Sequence, residues 1–137
     1  MGIRRQARET ALQILYLVDV GGISLEAASK ACAGAPLPSP TVQCFTDRLA
    51  SGTLAIRKEL DEFISKYTEN WEISRMAAVD RNILRLAAYE LLHHPETPIP
   101  VVIDEAVEIA KTYSTQDSGK FVNGILDKIK LERPSSP

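Results

Sequence analysis

Between residues 74 and 92 the chain sets Met76, Val79, Ile83, Leu84, Leu86, Ala87, Leu91 and Leu92 at helical spacing, and they cover most of the helix circumference. A helix that is apolar nearly all round cannot lie on a surface. It must be enclosed, and the rest of the sequence offers only helices to enclose it. Residues 4–20 carry one apolar stripe, Ala7, Ala11, Ile14, Leu15 and Val18, and stop at Gly21-Gly22. A short helix over 24–31 follows, with Ser24 as its N-cap. Residues 34–40 hold three prolines and read as an exposed connection. A long amphipathic helix is expected over 41–67, carrying Phe45, Leu49, Leu54, Ile56, Leu60, Phe63 and Ile64, with Gly52 marking a close helix contact. Two more are expected over 101–113 and 118–131, separated from the central helix by the break at 93–100. No alternating strand pattern of useful length occurs. The expected fold is all-α, one domain over 1–133 with about six to seven helices. It divides into an N-terminal half, about 1–68, and a C-terminal half, about 71–133. The chain should fray from Glu132 onward, with 134–137 as its tail.

Composition narrows the function. A chain of 137 residues, 45% hydrophobic and 25% charged, can bury a real core. Its net charge of −2 argues against coating nucleic acid by bulk charge, so any anion binding must come from local clusters of Lys and Arg. Glu59, Asp61, Glu62, Glu69 and Glu72 read as a solvated acidic face. No apolar run approaches the ~20 residues of a membrane span, and Arg8, Glu9 and Gln13 interrupt any signal core, so the default location is cytoplasmic. Cys32 and Cys44 suit neither a zinc site nor a disulfide scaffold, and Cys44 reads as a small core residue.

A catalytic inventory is missing. The two histidines, His93 and His94, are adjacent at a helix end, where cations complement the macrodipole. There is no phosphate-binding glycine loop and no nucleophile elbow. Asp104, Glu105 and Glu108 open a helix, where negative charge is favourable. No catalytic residue, metal ligand or cofactor is expected.

Binding signals are present. At about 100° per residue, Arg5, Arg8, Leu12 and Tyr16 project together on an edge beside the buried stripe of the first helix. Several cations and an aromatic ring on one exposed edge suit a polyanion with unstacked bases, which makes RNA the leading ligand. A second segment runs from Thr115 to Gly124. Asp117 or Thr115 can cap the last helix, whose first turn favours anions. Gly119 would let a ligand come close, Lys120 adds charge, and Phe121 is either a stacking face or core. In a third segment, Asp80, Arg81, Arg85 and Glu90 interrupt the apolar helix. They either pair with neighbouring helices or form a charged rim for a protein partner.

Four segments together resemble the NusB family of bacterial transcription antitermination factors. They are Arg4-Arg5-Gln6-Ala7-Arg8-Glu9 with Ala11-Leu12-Gln13-Ile14-Leu15-Tyr16; Val79-Asp80-Arg81-Asn82-Ile83-Leu84-Arg85-Leu86-Ala87-Ala88-Tyr89-Glu90-Leu91; Ile103-Asp104-Glu105-Ala106-Val107-Glu108-Ile109-Ala110-Lys111; and Ser118-Gly119-Lys120-Phe121-Val122-Asn123-Gly124-Ile125-Leu126-Asp127. The resemblance implies two small helical bundles. It also implies binding to boxA RNA of ribosomal RNA leaders together with NusE, a small-subunit ribosomal protein, within an antitermination complex on RNA polymerase. Carried over by motif, the RNA surface would use Arg4, Arg5, Arg8, Gln13 and Tyr16, completed by Asp117, Lys120 and Phe121. Asp80 and Arg81 would face NusE. Tyr16 and Phe121 should then line one groove. Ser114 departs from the glycine of many members, which bears on the turn before the last helix. Rival readings are a protein-binding scaffold or homodimer without RNA, and a fragment of the RNA-binding region of a ribosomal-RNA cytosine methyltransferase.

Overall fold

The computed structural model describes residues 3–33, 39–68 and 72–134. Seven α-helices follow one another among them: α1 (Ile3–Gly21), α2 (Leu25–Cys32), α3 (Pro40–Ala55), α4 (Arg57–Ser65), α5 (Ala78–His93), α6 (Ile99–Tyr113) and α7 (Gln116–Ile129). Short 3-10 turns cover Ile73–Arg75 and Lys130–Glu132. Most of the expected connection over 34–40, the half boundary near Trp71 and residues 135–137 of the expected tail lie outside the described residues.

Local chemistry sets the ends. Gly22 takes φ +67, the left-handed value that ends α1 cheaply only at glycine. The Ser24 hydroxyl accepts from the Ala27 N–H, and Ser39 caps α3 in the same way on Val42. The continuous helix expected over 41–67 is instead two, broken at Ile56 (φ −120, ψ 25). Just before the break the Thr53 hydroxyl donates to the Leu49 carbonyl at 2.6 Å, a back-bond that bends helices. The bend lets α4 lay Leu60 and Ile64 into the core.

Helix α5 is the enclosed one, packed against α1, α3, α4, α6 and α7. Leu84, Ala88 and Leu91 are fully buried. Gly52 of α3 is a close contact as expected: a Cβ there would overlap the Tyr89 phenol of α5. Cys44 departs from its expected core position and is exposed.

The charges in α5 are paired. Arg85 holds Asp61 of α4 through two bonds, Nε to Oδ1 at 2.6 Å and Nη2 to Oδ2 at 2.9 Å. Its Nη1 also reaches Asp19 of α1 at 2.9 Å, which accepts from Arg81 at 2.7 Å and from Asn82 at 3.0 Å. Asp61 therefore leaves the acidic face expected for it and acts as a tether between helices.

Burial pushes the Asp19 carboxyl up, but the hydrogen bonds from Arg81 and Asn82 and the charges of Arg85 and Arg81 outweigh it and hold it at about 2. A carboxyl depressed on folding stabilises the fold fully above its ordinary value near 3.8 and loses that contribution as pH falls through about 2. Urea midpoints should therefore drop between about pH 5 and pH 2. In Asp19→Asn the drop should be smaller by on the order of 1–2 kcal/mol after solvent screening. An unchanged pH profile would remove Asp19 from that account.

The expected fraying from Glu132 is also corrected. Arg133 donates to the carbonyls of Leu91 (2.6 Å), Thr97 (2.6 Å), His94 (3.1 Å) and Glu90 (3.3 Å). The last carbonyls of a helix lack partners of their own, and one guanidinium serves those at the end of α5.

Candidate nucleic-acid interface

The stripe of α1 is buried as its spacing requires, with Ala7, Ala11, Ile14 and Leu15 all inside. Its expected basic edge is divided. Arg4 is exposed, its guanidinium 4.4 Å above the centre of the Phe45 ring. Arg5 is half-buried and paired with Glu105 of α6, Nε to Oε2 at 2.7 Å, and that hydrogen bond holds the Glu105 carboxyl below its ordinary range. Arg8 is not on an exposed edge. It is 4% exposed and meets Glu90 of α5, itself 1% exposed, through Nε–Oε1 at 2.9 Å and Nη2–Oε2 at 2.6 Å. Leu12 is buried too. The projection placed these residues at the right angle, but α5 and α6 cover the edge with two carboxylates. Glu105 thus bridges helices, beyond the dipole role expected of it.

Further along α1, Gln13 and Tyr16 remain exposed. With Leu17, Cys32, Val79 and Tyr113 they line a cavity of about 390 Å³ between α1, α2 and the facing ends of α5 and α6. Tyr113 was not singled out by sequence reasoning. Its position at the end of a helix gave no reason to expect an aromatic partner for Tyr16. Burial is the first cause raising its phenol, followed by the charge of Glu9 and a hydrogen bond to it.

A second cavity of about 230 Å³ is lined by Met76, Ala77, Asp80, Asp117, Ser118 and Phe121, among others. Thr115 caps α7, its hydroxyl accepting from the Ser118 N–H at 3.0 Å, while the Ser114 and Ser118 hydroxyls lie 2.9 Å apart. The turn thus closes with serine at 114. Asp117 and Lys120 are exposed and Phe121 is half-buried. Gly119 does not leave space for a ligand: it is buried, and a Cβ there would lie 2.9 Å from Lys111 Cγ. The missing side chain lets α6 and α7 approach.

The two cavities adjoin. Val79 lines one and Asp80 the other, and Tyr113 and Thr115 are divided in the same way. Tyr16 lines one depression and Phe121 the other, with the consecutive residues Val79 and Asp80 at the junction. Asp80 accepts from the Ser118 hydroxyl at 3.0 Å, and its buried Oδ1 has no hydrogen-bond partner among the described residues. Arg81, through Asp19 and the Met76 carbonyl, is likewise engaged within the chain. Of the two sequence readings for these charges, pairing between helices accounts for their placement. Among the described residues no helix is long and apolar enough to cross a membrane.

The fold has known counterparts. The model of the NusB family matches residues 5–130. A transcription antitermination protein NusB from Elusimicrobium minutum is 45% identical, covering 97% of this chain and 96% of the relative. Its counterpart from Desulfitobacterium hafniense is 46% identical over 92% and 86%. Among solved structures, NusB of T. maritima superposes with a TM-score of 0.89 at 39% identity, over 96% of this chain and 93% of that one. A structure of antitermination factors NusB and NusE in complex with dsRNA gives 0.87 at 28% identity, over 95% and 97%.

Proposed function

From the chain's membership of the NusB family, we propose that it is a cytoplasmic transcription antitermination factor, a binding protein rather than an enzyme. It binds boxA-type single-stranded RNA of ribosomal RNA leaders as a heterodimer with NusE, within a complex that lets RNA polymerase read through terminators. The observation that carries this reading is the pair of adjoining depressions, each with an accessible aromatic ring, Tyr16 in one and Phe121 in the other. Stacking on such rings is how proteins hold unpaired bases. Arg4 and Lys120 supply charge for phosphates, and Gln13 and Asp117 offer hydrogen bonds to base edges. Arg5 contributes its half-exposed edge. Arg8, buried against Glu90, serves as a positioning residue that holds α1 in place. Asp80 and Arg81 shape the face offered to NusE while keeping their bonds within the chain.

Tyr16→Ala should weaken binding of a boxA RNA by about 1–3 kcal/mol, measured by titration in the presence of NusE. On an RNA long enough to reach it past Tyr16, Arg4→Ala should lower the slope of log K against log salt by roughly 0.7, the share of one phosphate on a single strand. Variants that stay folded and bind like the parent would remove this surface from the RNA path. A duplex of the same sequence, run alongside, separates single-strand from double-strand recognition. Equal or tighter binding of the duplex would overturn the boxA single-strand assignment.

A further inference from the structure

One cleft lies beyond the two depressions. It has a volume of about 500 Å³ and is lined by Arg4 of α1, by Thr41, Cys44, Phe45 and Arg48 of α3, and by Glu96. Arg4 and Arg48 are both exposed, and neither makes a hydrogen bond or ion pair among the described residues. Arg5 and Arg8 are the opposite case, each matched by a carboxylate. Positive charge in this cleft is therefore matched only in part, by Glu96, which feels the charge of Arg48, whereas on the α1 edge each of these cations has its own carboxylate. Arg4 is held in place by the Phe45 ring beneath it. Glu96 brings a negative charge to the wall, engaged by His94 Nδ1 at 2.8 Å. Two cations against one carboxylate leave the cleft net positive.

We propose that Arg4 and Arg48 together bind the sugar–phosphate backbone of the RNA where it continues past Tyr16, and that Arg48 is thus a phosphate-contacting residue of this chain. The proposal rests on the RNA-binding reading above. Arg4 and Tyr16 are separated along α1 by about 18 Å at the helical rise of about 1.5 Å per residue. An RNA confined to the two aromatic depressions cannot reach the cleft, whereas one extended by several nucleotides can. Arg48 is therefore a determinant of RNA length dependence. Phosphate contact by arginine needs no particular base, so the cleft adds affinity without adding sequence preference.

The test uses the chain with NusE and two boxA RNAs, one short and one extended by several nucleotides at either end. Arg48→Ala should reduce the salt slope by roughly 0.7 on an extended RNA and leave the short one unchanged. Glu96→Gln should tighten the extended RNA alone. The extended RNA should also slow alkylation of the exposed Cys44 by iodoacetamide in a Cys32→Ser background. If Arg48→Ala leaves both slopes unchanged while Tyr16→Ala weakens both RNAs, the cleft is off the path and the RNA site stands. An equal effect of Arg48→Ala on both RNAs also overturns the proposal, because it marks a diffuse field rather than a contact. No binding of either RNA by the parent overturns both readings.

Discussion

Arg8→Ala should destabilise the fold by about 3–5 kcal/mol, read as a lowered urea midpoint. The substitution strands the Glu90 carboxylate, 1% exposed, with its bidentate partner gone. Arg8 also carries weaker contacts, Nη1 lying 3.5 Å from Glu105 Oε1 and the guanidinium 5.5 Å from the Phe45 ring centre. Replacing both partners with apolar residues of similar size, as in Arg8→Met with Glu90→Leu, should recover most of the loss, because no charge is then left buried. This separates the two roles an arginine in this motif can have. A residue touching RNA loses affinity and keeps stability, whereas Arg8 should lose stability first. An Arg8→Ala protein with the parental midpoint would refute the buried-pair account.

Gly52→Val should cost about 3 kcal/mol, at the upper end of the ordinary penalty for overfilling a core. Helix propensity alone predicts the opposite sign, since glycine within a helix is the poorer residue. Sterics decide: the added Cβ would overlap the Tyr89 phenol, with Cε1 only 2.7 Å away. The ring has little room to retreat, being stacked on His93 at 5.4 Å and set edge-on to His94 at 5.3 Å between centroids. A cycle with Tyr89→Ala is the decisive measurement. The double variant should be clearly more stable than the sum of the two single losses predicts. Strict additivity would show that Gly52 matters for some reason other than this contact.

What the sequence revealed depended on whether a feature was written in its periodicity. The enclosed helix α5 was legible because a surface helix cannot tolerate that much apolar circumference. The glycine at 52 was legible because it interrupts an otherwise well-formed stripe. The break at Ile56 was hidden because Leu49, Thr53, Ile56, Leu60 and Ile64 keep helical phase straight through it, so the bend costs the pattern nothing. Arg8 was misplaced for a related reason. A projection gives the angle of a side chain but not what covers that angle, and Glu90 and Glu105 come from helices far along the chain. Gly119 shows the same limit, its missing side chain accommodating Lys111 rather than a ligand. Of the candidate site, Gln13, Tyr16, Asp117 and Phe121 emerge accessible or half-buried in the walls of the two depressions and Lys120 is exposed outside those walls, while Tyr113 came to light only through the fold.

The guanidinium of Arg133 has a consequence in time. During synthesis the carbonyls of Glu90, Leu91, His94 and Thr97 leave the ribosome about forty residues ahead of the side chain that will serve them. Until it arrives, the end of α5 must find other partners. Domains gain their order from the N-terminus as they are made, so α1 to α4 can gather on α5 early, but the far end of α5 cannot lock. The nascent chain should pass from loose to protease-resistant in a late step, once Arg133 clears the exit, rather than by even increments along its length.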